Sequence, residues 1–239
     1  MLVKVVLGTL AGVVMMHAAH AEDAGDWITA AETSKSVWQG KRGSGTITNV
    51  DGKKNNGYKY LYQKKNKTNN TYDYGQALVL LESCRKGYGF VYYNGMEGQY
   101  VSKDQFVRFG PTVADNIGTL ACLSWDNETG QISLAEKKDA WEFIASVKDS
   151  GNKVYLKNDT ARKRAYKGKP SVSILSRFDN LRENTFDYNE VIIASADCER
   201  GYGTLYELNF DGGVSDKWDI ALNGKSVASA VGDAVCSKR

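Results

Sequence analysis

Apolar and polar residues alternate at period two over much of this chain, and Gly, Asn and Asp repeatedly cut the alternation. In Tyr58-Lys59-Tyr60-Leu61-Tyr62 aromatic side chains recur at every second position, the pattern of a strand with two distinct faces. Val172-Ser173-Ile174 alternates more cleanly. Residues 76–84 and 190–198 read as β-rich approaches to a cysteine, and 88–93 and 202–210 as aromatic strands leaving it. In the last of these, Tyr202, Thr204, Tyr206, Leu208 and Phe210 share one face. Short strands joined by turns predict an antiparallel meander rather than alternating βα units.

The period becomes helical twice. Val113, Ile117, Leu120 and Ala121 fall at i, i+4, i+7 and i+8, as do Val227, Val231, Ala234 and Val235. Thr112 and Ser226 are the predicted N-caps, and Asp115 completes a capping box in the first case only. At about 100° per residue, Cys122 and Cys236 face away from the first apolar residue of each helix. The expectation is a helix whose end is bridged to the sheet, with Gly118 and Gly232 permitting close approach on its second side.

These elements occur twice, at an offset of 114 residues: Cys84 recurs as Cys198, Cys122 as Cys236, and Trp27 as Trp141. Asn70-Thr71-Tyr72-Asp73-Tyr74 recurs as Asn184-Thr185-Phe186-Asp187-Tyr188, and Gly87-Tyr88-Gly89 as Gly201-Tyr202-Gly203. Solenoid units run roughly 20–50 residues, so this is a duplicated domain. The predicted organisation is a signal peptide over 1–21, a first domain over 26–125, a linker over 126–139 and a second domain over 140–239. Each domain is expected to be α+β, an antiparallel sheet with a C-terminal helix bridged to it.

The signal peptide is read from Lys4, the apolar run from Val5 to Met16, and the small-x-small site Ala19-His20-Ala21. The run is too short for a membrane span, which needs about 20 apolar residues. No cysteine follows it, so no lipid attachment is expected. The chain should be periplasmic or secreted. Both histidines, His17 and His20, lie in this segment. The mature chain then lacks a Ser-His-Asp triad, a Cys-His dyad and any histidine-ligated zinc.

Exported cysteines are normally paired. Four cysteines allow three connectivities. The duplication selects Cys84–Cys122 and Cys198–Cys236, which leaves no thiol as a nucleophile or metal ligand. No catalytic residue, cofactor or metal is therefore assigned.

Formal net charge is only +3, and one of those charges, Lys4, belongs to the signal segment. This is not the balance of a nucleic-acid binder. Locally, Arg162, Lys163, Arg164, Lys167 and Lys169 form a dense basic stretch, with Gly168 and Pro170 predicting a turn that presents it. These five are the candidate contacts to an anionic glycan or lipopolysaccharide. The competing reading is a strand edge whose lysines discourage pairing. A smaller basic run is Lys64-Lys65-Asn66-Lys67. Asp73 and Asp187 read as turn residues, and Gly-Tyr-Gly as a turn beside the disulfide. Tyr58, Tyr60, Tyr62, Tyr92, Tyr93 and Tyr100 read either as a recognition face or as core.

The second half carries Trp141, Val154-Tyr155, a hydrophobic approach to Cys198, and Ser226-Val227-Ala228-Ser229-Ala230-Val231-Gly232-Asp233-Ala234-Val235-Cys236. The first keeps Trp27, Cys84, Thr112-Val113, Ile117-Gly118 and Cys122. In this pattern each half resembles the surface-adhesin protein E family of Gram-negative bacteria. The resemblance implies two tandem α+β domains, each an antiparallel sheet of about six strands with a C-terminal helix tied to it by the disulfide, and a non-enzymatic envelope protein that binds a protein partner, such as a host matrix protein, or an anionic surface. The chain departs from the family's namesake in lacking a lipid anchor and in having two domains. Two other readings stay open: a periplasmic inhibitor or immunity protein against a toxin or lysozyme, and a hydrolase working through paired carboxylates.

Overall fold

A computed structural model describes residues 26–126 and 141–239. The predicted signal peptide and nearly all of the predicted linker lie outside the described residues. The first half runs β1 (Trp27–Glu32), β2 (Ser36–Lys41), β3 (Thr46–Val50), β4 (Lys53–Asn66), β5 (Tyr72–Leu80), α1 (Leu81–Lys86), β6 (Tyr88–Asn94), β7 (Tyr100–Val107) and α2 (Val113–Asp126). The second runs β8 (Trp141–Ser146), β9 (Lys153–Tyr166), β10 (Lys169–Asn180), β11 (Thr185–Ala194), α3 (Ser195–Arg200), β12 (Tyr202–Leu208), β13 (Val214–Ala221) and α4 (Val227–Cys236). The fold is mainly sheet, with few helices.

Both sheets are antiparallel. The first has the order β1-β2-β4-β5-β6-β7, with β3 also on β4, and the second runs β8 to β13 in consecutive order. The expected six strands hold for the second half, and the first has seven. The extra strand comes from one break. Thr160 Oγ1 donates to the Lys157 carbonyl at 2.6 Å and accepts from Leu175 N–H at 2.9 Å, inside continuous β9. Ser44 Oγ makes the same pair of bonds, to the Lys41 carbonyl at 2.7 Å and from Leu61 N–H at 3.1 Å. There Arg42-Gly43-Ser44-Gly45 leaves the sheet, so the equivalent of β9 is split into β2 and β3.

The strand period decides the layers. Val172, Ile174, Val191 and Ile193 pack with Val231 and Val235 of α4. Tyr58, Tyr60, Val79 and Phe106 pack with Ile117 and Leu120 of α2. Each such burial contributes about 1.5–3 kcal/mol. Tyr58, Tyr60 and Tyr93 are therefore core, whereas Tyr100 is exposed.

The disulfides are Cys84–Cys122 and Cys198–Cys236, each spanning 38 residues, and no cysteine among the described residues is free. Their anchorage corrects the expectation. Cys84 and Cys198 lie not on strands but on α1 and α3, so each bridge joins two helices. The strand alternation stops at Leu80 and Ala194, and a single helical turn and a half follows. Gly87 and Gly201 close these turns in the left-handed conformation, at φ 83° and 81°, where other residues are strained. The second glycine of each Gly-Tyr-Gly has a different reason. A Cβ on Gly89 would lie 2.2 Å from Ser83 Oγ, and one on Gly203 2.3 Å from Asp197 Cγ.

The predicted caps form. Thr112 Oγ1 accepts from Asp115 N–H at 3.0 Å, and Asp115 Oδ2 accepts from Thr112 N–H at 2.8 Å. Ser226 Oγ accepts from Ser229 N–H at 3.0 Å. The helix α2 runs past Cys122 and is buried on two sides, with Gly118 against the Phe106 ring; Gly232 of α4 faces Ile220.

Candidate functional site

The two halves meet along a buried seam. Val107, Leu175 and Tyr188 form a cluster joined by Tyr88, Trp141, Phe186 and Phe210. At its centre Tyr188 Oη donates to Asp115 Oδ2 at 2.7 Å. Asp115 also accepts from Val107 N–H at 2.6 Å. Burial pushes the Asp115 carboxyl upward against these donors, and burial with the neighbouring carboxylate pushes the Tyr188 phenol upward too. Around the cluster, Gln105 Nε2 donates to the Tyr188 carbonyl at 3.4 Å and Lys103 pairs with Asp211 at 3.6 Å.

Beside the seam, between the second sheet and α4, lies a cavity of about 620 Å³. Its walls are apolar, with Val154, Phe178, Leu205, Val227 and Val231 among them, and Gln105 of the first half also lines it. Polar groups on its rim include Ser176, Asn189 and two acids, the exposed Asp187 and the half-buried Glu207, and no basic residue lines it. Burial raises the Glu207 carboxyl above its usual range, while a hydrogen bond from the Trp218 side chain opposes the rise. The duplication explains why this space exists. In the first half Trp38, Tyr62 and Tyr93 fill the corresponding place, their ring centroids 5.6–6.2 Å apart. The residues in register with them are Val154, Ser176 and Glu207. Three large rings are thus exchanged for a valine, a serine and a carboxylate.

The predicted basic stretch folds as the β9–β10 hairpin. Lys167 and Gly168 form its two-residue turn, both with positive φ, at 49° and 74°. Strand alternation divides the five residues. Arg162 donates to the Lys86 carbonyl at 2.7 Å and lies over the Tyr88 ring, in the seam. Arg164 pairs with Glu190 at 2.8 Å. Lys167 lies over Tyr206, 4.4 Å from the ring centroid. Lys163 lines a groove with Arg164, Glu199 and Arg239, and Lys169 is exposed on β10 beyond the turn. The hairpin therefore does not gather all five charges on one surface.

Asp187 and Asp73 lie within strands β11 and β5, not in turns. Glu207 was not singled out by the sequence. Its signal was the mismatch with Tyr93 at the repeat offset. Among the described residues, no group of three or more His, Cys, Asp or Glu side chains could hold a metal ion, and no helix is long and apolar enough to cross a membrane. No family model, curated protein or solved structure matches this chain.

Proposed function

We propose that this chain is an exported, non-enzymatic binding protein of the bacterial envelope, adhesin-like in its mode of action. The cavity of the second half receives an apolar group bearing a positive charge, such as the lysine side chain of a partner protein. One observation carries this reading: the space that three aromatic rings fill in the first half is open in the second and floored by a carboxylate. Glu207 is half-buried and no basic residue lines the cavity, so a cation entering with its alkyl stem in the apolar walls offsets the cost of partly desolvating that carboxylate. The resemblance to protein E, the absence of histidine beyond His20 and the pairing of the cysteines support binding rather than catalysis.

The test is a titration of the protein with hexylamine and, separately, hexanoate, followed by shifts in the backbone amide spectrum. Amine-specific shifts at Val154, Glu207 and Val231 are expected, strengthening as pH rises through the Glu207 value because the carboxylate form is the receptor. Equal response to both probes, or none, contradicts the assignment.

A further inference from the structure

The seam between the halves is heterologous. The first half contributes Tyr88, Lys103, Val107 and Asp115, and the second contributes Trp141, Tyr188, Phe210 and Asp211. At the repeat offset, none of the first set maps onto any of the second. Tyr88 corresponds to Tyr202, Lys103 to Lys217, and Asp115 to Ser229. Trp141 corresponds to Trp27, Tyr188 to Tyr74, Phe210 to Met96, and Asp211 to Glu97. The correspondence holds in the folded chain. Tyr88 lies opposite Val107 as Tyr202 lies opposite Ala221, and the hairpin tips carry Gly98 and Gly212 at φ 87° and 86°.

Each half therefore keeps one face of this interface unused. On the first half it is the receiving face, and its apolar residues stand in solvent. Tyr74 is 53% exposed where Tyr188 is 3% exposed, and Met96 and Tyr72 are 52% and 42% exposed. The same pair of rings meets on this face, Trp27 and Tyr74 tilted at 54° with centroids 6.3 Å apart where Trp141 and Tyr188 stack at 27° and 5.9 Å. On the second half it is the inserting face, where Tyr202 is 59% exposed. Charge is preserved across the vacant pair of faces. Lys103 meets Asp211 in the seam, and Lys217 and Glu97 keep the same signs at the equivalent positions.

We infer that the occupant of the first half's exposed aromatic face is the second half of another copy of this chain, docked head to tail as the two halves dock within one. A heterologous contact of this kind leaves a free face at each end of the dimer, so assembly continues to a ring or an open filament. Several substitutions make the contact between copies weaker than the seam. Ser229 replaces the long acceptor Asp115, Asp219 the donor Gln105, Ala221 the buried Val107, Thr204 the ring of Phe90, and Met96 the ring of Phe210. The seam also has the advantage of a single chain, which raises the effective concentration of its partners.

The test is sedimentation of the full chain from about 1 µM to about 0.5 mM, a range that reads micromolar to submillimolar dissociation constants. Mass should rise with concentration. Glu97→Lys and Lys217→Glu should each weaken association by about tenfold or more, because each places like charges opposite one another. An equimolar mixture of the two variants should restore assembly, since each then offers the other a complementary face. Both substitutions lie on exposed positions, and unchanged melting temperatures confirm that folding is not at issue. A chain that stays monomeric over the whole range overturns the assignment to a second copy and leaves the face to a different protein. Assembly that ignores both charge reversals overturns it equally, by placing the contact elsewhere.

Discussion

Tyr188 donates to Asp115 across the seam at 2.7 Å, and neither residue repeats this role in the other copy of the duplication. Tyr74, the counterpart of Tyr188, is mostly exposed, and serine stands at 229 in place of the aspartate. One hydrogen bond thus marks where two similar halves became different.

Removing the acceptor should cost more than removing the donor. Asp115→Ala strands the N–H groups of Val107 and Thr112 and the Tyr188 hydroxyl, all of which Asp115 accepts. Each unmet buried donor costs about 1–3 kcal/mol, so a loss of about 3 kcal/mol or more is expected. Tyr188→Phe leaves Asp115 with its two backbone donors and should cost about 1 kcal/mol. Urea unfolding of both variants measures the difference.

Alkaline stability follows from buried phenols. Burial raises Tyr60 to about 12 from 10.0, and it raises Tyr93 and Tyr188 in the same direction. The unfolded chain therefore releases these protons first. Stability is intact below pH 10 and falls as pH rises toward the folded values. Phenolate absorbance should show the phenols of Tyr60, Tyr93 and Tyr188 released only as the chain unfolds.

The helix–sheet contact should be less tolerant in the first half than in the second. A Cβ on Gly118 lies 2.4 Å from Cγ of the Phe106 ring, which is itself fully buried. Gly118→Ala should cost about 1–3 kcal/mol by overpacking. A Cβ on Gly232 meets only Ile220 Cδ1, the end of a flexible side chain, at 2.6 Å. Gly232→Ala should cost less, and Phe106→Leu should relieve the first variant. Thermal melts of the two alanine variants and the double mutant check the order.

The basic hairpin should separate into structural and solvent-facing charges. Arg162→Ser breaks its bond to the Lys86 carbonyl and its contact with Tyr88, so it should lower stability by about 1 kcal/mol. Lys163→Ser and Lys169→Ser should leave stability within about 0.5 kcal/mol. If the hairpin binds an anionic glycan, heparin retention should fall in the lysine variants and weaken with salt.

Much of this architecture was legible in the sequence, because it rests on local periodicity and on repetition. The strand alternation at Val172 to Ile174, the helix stripes from Val113 and Val227, the capping box of Asp115 and the disulfide pairing all follow from spacing alone. The short helices α1 and α3 did not, since six residues are too few to show a helical period against a preceding strand. The extra strand of the first half depended on how a Gly-Ser-Gly break resolves, which spacing leaves open. The cavity was hidden for a different reason. It arises from differences between the repeats, at Tyr62 against Ser176 and Tyr93 against Glu207, whereas the repeat was recognised through its matches.

The proposed binding role of the second half is tested most directly by filling its cavity. Glu207→Tyr restores the residue that the first half has at this position and places a ring in the apolar space. Amine binding by the wild type, by Glu207→Gln and by Glu207→Tyr is compared by calorimetry at equal pH, with melting temperatures as the control for folding. The wild type should bind hexylamine, Glu207→Gln should bind it several-fold more weakly, as expected for loss of a partly desolvated charge pair, and a folded Glu207→Tyr should not bind it. Undiminished binding by a folded Glu207→Tyr would contradict the assignment of this cavity as the site.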